Sequence, residues 1–222
     1  MTAMLDSKTI RTRVAEELHA CVGQKWFKPG SPRLEVASAD NLTDFSIEFD
    51  CYAERRYGEY DCSLVAVFKW KKFARLFGEL ANWYNVKFEG AVPTKSKVFA
   101  RVAFEGIHGD FRPSSRGTFW VANEQDLDKF TARCVDDLEG KVGNWIRRWY
   151  DWPSALETMD AYPNLCGSWR DTAYYCLMEQ VRGPEAACTW VRGIDAAGWP
   201  QWLAAQVEYL QSRVCRGAPT QP

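Results

Sequence analysis

The chain reads as an α+β protein: an N-terminal helix and an antiparallel sheet packed with helices, followed by an all-helical C-terminal half. Three observations carry this. Apolar and polar residues alternate with period two through 45–51 and 62–70, a period of three to four governs 7–22 and 72–84, and beyond residue 122 only helical spacing is found. Segregated strands and helices argue against a parallel doubly wound sheet.

The first helix is predicted over Ser7 to Val22, where Ile10, Val14, Leu18 and Cys21 or Val22 recur on one side and Gly23 stops the pattern. A loop rich in Pro and Gly follows at Lys28-Pro29-Gly30-Ser31-Pro32. Phe45, Ile47, Phe49 and Cys51 then alternate with Asp44, Ser46, Glu48 and Asp50, the pattern of a strand with one buried and one wet face. Its partner is expected at Cys62 to Trp70, joined through the polar stretch Glu54 to Glu59 as a hairpin with a long tip.

Helical spacing returns over Lys72 to Tyr84, with Phe73, Leu76, Phe77 and Leu80 as the apolar stripe. Strand-like sequence follows at Lys97 to Gly106 and Thr118 to Val121, and the Gly- and Pro-containing run from Gly106 to Pro113 connects them as a loop. Asn123 is a predicted N-cap, with Glu124, Asp126 and Asp128 near the positive end of the helix dipole. Leu127, Phe130, Cys134, Leu138, Val142, Trp145 and Trp149 continue that stripe, with Gly140 and Gly143 as points of bending or breakage. Pro153 and Pro163 punctuate the chain before shorter helices at Trp169 to Val181, Pro184 to Arg192 and Pro200 to Val214. The organisational boundary falls near residue 122, between a strand-rich half, 1–122, and a helical half, 123–222, within one continuous globular unit.

Composition limits the function. The 222 residues are 46% hydrophobic and 26% charged, which is globular rather than disordered. Twenty-eight Lys and Arg against 29 Asp and Glu leave a net charge of -1, so no global field attracts nucleic acid or an anionic membrane. No apolar run approaches the ~20 residues of a membrane span. The eight cysteines are expected to be reduced and mostly in the core, in a cytoplasmic protein: the chain is not small, Met1 to Asp6 is no apolar signal, and most cysteines fall in apolar stripes. Eleven tryptophans are the one unusual total, and Trp serves both cores and interface centres.

Few residues offer a catalytic group. The chain has two histidines, His19 and His108, and His19 lies beside an apolar helical stripe. His108, with Asp110 and Arg112 in a Gly-flanked loop, is therefore the better histidine candidate for a hydrolase or transferase, and carboxylate-based chemistry stays open beside it. No tight Cys or His spacing fits a structural zinc site, and no phosphate-binding glycine pattern or nucleophile elbow occurs, so no metal or cofactor is expected. Asp44, Glu48 and Asp50 share one strand parity and are flanked by Glu54 and Glu59, a concentrated acidic face suited to a cationic protein partner. A basic run at Lys69, Lys71, Lys72 and Arg75, interleaved with Trp70 and Phe73, is the candidate for nucleic acid; those aromatics fall on core stripes, which counts against that partner.

The order of elements, with the run Trp26-Phe27-Lys28-Pro29-Gly30 after the first helix and a helical end from Trp169 to Val191 with an Ala-rich turn, resembles uncharacterised bacterial α+β proteins, several of which stand beside polymorphic toxins and are taken to be immunity proteins. The resemblance covers most of the chain as an order of elements and carries over no functional residue. It implies a non-enzymatic protein that neutralises a cognate toxin. The alternatives are a hydrolase or transferase using the His108 loop and a nucleic-acid-binding protein.

Overall fold

The computed structural model describes residues 5–22, 34–36, 45–93, 100–103, 119–149, 151–162 and 166–216. In chain order the elements are α1 (Ser7–Val22), β1 (Leu34–Val36), β2 (Phe45–Arg56), β3 (Glu59–Trp70), α2 (Ala74–Glu89), β4 (Ala100–Ala103), β5 (Phe119–Val121), α3 (Glu124–Asp137), α4 (Gly143–Arg147), α5 (Trp152–Ala161), α6 (Arg170–Arg182), α7 (Pro184–Arg192) and α8 (Gln201–Tyr209). Among the described residues strands are confined to the first part of the chain and helices and turns follow β5, so the architecture is α+β with a helical C-terminal half. No helix among the described residues is long and apolar enough to cross a membrane.

Two compact units interleave in sequence rather than meeting at residue 122. The first comprises Met1–Lys69 and Val102–Arg147, the second Trp70–Arg101 and Arg148–Pro222. Packing explains the exchange. α3 lies against α1 and β5, so it belongs with the sheet, whereas α2 lies against α8 and belongs with the later helices.

In the first unit the sheet runs β1-β2-β3-β4, with β5 also paired to β3. β1 pairs antiparallel with β2, setting Leu34 opposite Phe49 and Val36 opposite Ile47; β1 is too short for its alternation to show in sequence. Along β3 the pleat sends Cys62, Leu64 and Phe68 into the core while Asp61, Ser63 and Lys69 stay partly exposed. Ile10, Val14 and Leu18 of α1 are wholly buried, as their spacing predicts. Each such side chain contributes roughly 1.5–3 kcal/mol on burial, which fixes the docking face of α1. Asn123 caps α3 by accepting from the Asp126 N–H at 3.0 Å.

The stripe after Asn123 is interrupted where the glycines stand. α3 passes into a π-helical turn at Leu138–Val142 before α4 begins at Gly143. A Cβ on Gly143 would lie 2.5 Å from the Leu138 carbonyl oxygen, so the widened turn requires glycine there.

In the second unit α6 is central: Thr172 to Met178 are all buried, and α5, α7 and α8 pack against it. α5 is an element that the prolines hide in sequence. Asp151 caps it by accepting from the Ser154 N–H at 2.9 Å, and Pro153 sits in its first turn, where a missing N–H costs nothing. α2 runs five residues beyond the predicted Tyr84 and ends at Gly90 in a left-handed conformation, whose N–H returns to the Asn85 carbonyl. Rings pack edge-on or tilted through this unit, with Phe77 to Trp169 at 4.8 Å, Trp169 to Trp202 at 4.8 Å and Tyr84 to Trp202 at 4.6 Å.

One cysteine expectation is corrected. Cys188 on α7 and Cys215, just beyond a π-helical turn at Leu210–Val214, form a disulfide. α7 packs against that turn and brings the two Cα atoms to 5.5 Å, a proximity that a separation of 27 residues does not signal. Cys51, Cys62, Cys134 and Cys176 are buried thiols, as expected of core cysteines.

Candidate functional site

The site is built on the end of the β2–β3 hairpin. β2 continues to Arg56 and β3 starts at Glu59, so the expected long tip is corrected to a two-residue turn, Tyr57-Gly58. Both central residues have positive φ, 53° and 93°, the handedness that matches the twist of paired strands. Gly58 adopts this freely. Tyr57 does not: an aromatic L-residue there is strained by on the order of 1 kcal/mol, and the position ordinarily takes Asn, Asp or Gly. Its side chain is 101% exposed, so no packing offsets the strain.

Strand parity arranges charge beneath the tip. Cys51 and Ala53 of β2 are buried, whereas Glu54 and Arg56, of the opposite parity, are exposed. Arg56 Nη2 donates to Glu54 Oε2 at 2.7 Å, and Arg56 Nε stands 3.9 Å from Asp61 Oδ2 on β3. The hydrogen bond that Arg56 donates to Glu54, with the charge of that carboxylate, holds the guanidinium still more firmly protonated than usual. Across the next ladder Asp61 is directly opposite Trp120 of β5, whose neighbour Val121 points into the core. Trp120 is 44% exposed. A row thus crosses three strands, from Glu54 and Arg56 through Asp61 to Trp120, with Tyr57 projecting at its end.

Of the predicted acidic residues, Glu54 and Glu59 stand exposed on either side of the turn. Glu48 and Asp50 lie on β2 with the parity of Glu54, and Glu48 is paired in register with Glu35 of β1; their side chains lie outside the described residues. Asp44 lies outside them as well, as do His108, Asp110 and Arg112 of the candidate catalytic loop. Tyr57 and Trp120 were missed. For Tyr57 a signal exists: an X-Gly pair between two alternating runs marks a two-residue hairpin. For Trp120 the strand-like sequence at Thr118 to Val121 signals the strand, but nothing in it signals the pairing with β3 that sets Trp120 opposite Asp61.

Other chemistry has little support among the described residues. No group of three or more His, Cys, Asp or Glu is placed to hold a metal. Burial pushes the Cys62 thiol up to about 12 and raises Cys134 and Cys176 as well, away from the thiolate needed for nucleophilic attack. A cleft of about 480 Å³ beside the first turns of α1 and α3 is lined by Asp6, Lys8, Arg13, Glu16 and Glu124, with Thr9, Thr12 and Leu127. Its charges are mixed, and Arg13 is engaged by Glu17 at 3.7 Å and Asp128 at 3.3 Å. Within the basic run Lys72 lies over the Trp152 ring at 5.3 Å and Arg75 pairs with Glu79 at 3.9 Å. Trp70, Phe73 and Trp149 are buried, which removes them as stacking platforms for bases.

No protein-family profile, curated protein or solved structure matches the chain.

Proposed function

We propose that the protein works by binding a cognate protein through the end of the β2–β3 hairpin, as an immunity factor that covers the active site of a bacterial toxin. The observation that carries the reading is Tyr57: a strained, fully exposed aromatic residue at a position where Asn or Gly is better suited. Exposed Tyr and Trp side chains are the commonest anchors of protein interfaces, and the carboxylates beside them favour a cationic partner. Among the described residues, which do not include the His108 loop, no comparable observation favours an enzymatic or nucleic-acid reading.

The expected cytoplasmic location is the part of the reading that Cys188–Cys215 opposes, since such bonds persist in oxidising surroundings. Counting protein thiols immediately after lysis under alkylating conditions decides it.

The function is tested in cells. The product of the neighbouring gene, expressed alone, should arrest growth, and co-expression with this chain should restore growth and yield a co-purifying pair. A neighbour with no toxicity and no co-purification overturns the proposal.

A further inference from the structure

Resting on the protein-binding reading above, we infer that the partner presents an arginine to the sheet face formed by Asp61, Glu54 and Trp120. A guanidinium is planar, stacks on an indole and forks onto a carboxylate, whereas an ammonium does only the last as a point charge. The ladder sets a carboxylate and a part-exposed indole directly opposite each other, so both demands are met at one spot.

Asp61 also has acceptor capacity left over. Its side chain is 12% exposed, and Oδ1 is buried with no hydrogen-bond donor among the described residues. The nearby cation does not supply one: Arg56 gives its short hydrogen bond to Glu54 and stays 3.9 Å from Asp61 Oδ2. An orphaned buried acceptor costs about 1–3 kcal/mol, and the broad χ2 torsion of Asp lets the carboxylate turn toward an arriving donor. The sign of the charge along this stretch of sequence agrees. Residues 40–61 hold seven carboxylates, Asp40, Asp44, Glu48, Asp50, Glu54, Glu59 and Asp61, against Arg55 and Arg56.

The test follows the Trp120 indole N–H by heteronuclear NMR, assigned by its disappearance in Trp120→Phe, during titration with acetyl-Gly-Arg-Gly-amide and separately with acetyl-Gly-Lys-Gly-amide. The arginine peptide should shift Trp120 saturably, with the lysine peptide weaker by roughly threefold or more. Asp61→Asn should abolish the shift while the other indole resonances keep their positions, which reports an intact fold; Glu54→Gln is the second variant if Asp61→Asn misfolds, and should weaken it. A silent Trp120, equal response to both peptides, persistence in the folded Asp61→Asn protein, or an undiminished shift in Glu54→Gln overturns the inference. If Trp120 is silent while toxin neutralisation depends on Tyr57, the protein-binding proposal stands and only this inference falls.

Discussion

The buried hydroxyl of Thr172 donates to Oε1 of Gln206 at 2.7 Å, and the Gln206 amide donates onward to the Ser168 carbonyl at 2.6 Å. Both side chains are wholly buried. Thr172→Val keeps the shape but leaves Oε1 without its donor, and is expected to destabilise by about 1–3 kcal/mol. Urea denaturation checks it, and an unchanged midpoint would show that the network contributes nothing.

Gly140 in the π-helical turn and Gly143 at the start of α4 are expected to respond with opposite sign. Gly143→Ala drives a Cβ to 2.5 Å from the Leu138 carbonyl oxygen and should destabilise by about 1–3 kcal/mol. Gly140→Ala meets nothing within 4 Å and should stabilise by about 0.5–1 kcal/mol, by restricting the unfolded chain. Thermal melts of the pair read both signs.

Much of the fold is legible in the sequence for a physical reason: α1, β2, β3, α3, α6, α7 and α8 bury one face or a continuous core, and burial imposes a period. What could not be read depends on contacts distant in sequence or on single backbone states. The partition of α2 and α3 between units is a packing outcome. The Cys188–Cys215 bond needs α7 and the last turn to meet. At the site, Glu54 and Glu59 follow from charge patterning, whereas the placement of Trp120 beside Asp61 needs the β3–β5 register.

Cys188–Cys215 closes a separation of 27 residues, and chain-entropy reasoning assigns it about 3–4 kcal/mol. Reduction by a dithiol in mild denaturant should lower the unfolding midpoint accordingly. The Tyr175 hydroxyl contacts Cys188 Sγ at 3.7 Å, so protease should first gain access around α7 and the turn after α8.

Asp6 caps α1 by accepting from the Thr9 N–H at 2.7 Å, and that backbone hydrogen bond holds its carboxyl below the usual 3.8. A lowered native value means the stabilisation is present above 3.8 and is lost as pH falls through the native value. Asp6→Asn should therefore remove part of the acid sensitivity below about pH 4 with little effect at neutrality. Thermal melts of both proteins across that range measure the difference.

The most direct measurement is the joint stability and binding of Tyr57→Asn. Asn at the first position of a turn whose second residue is Gly58 relieves the strained backbone, so the variant should be more stable by about 0.5–1 kcal/mol. It should also bind the proposed cognate partner at least tenfold more weakly, a loss of about 1.4 kcal/mol or more. Unchanged binding by a stabilised variant would contradict the claim that Tyr57 is held in strain for contact with a partner.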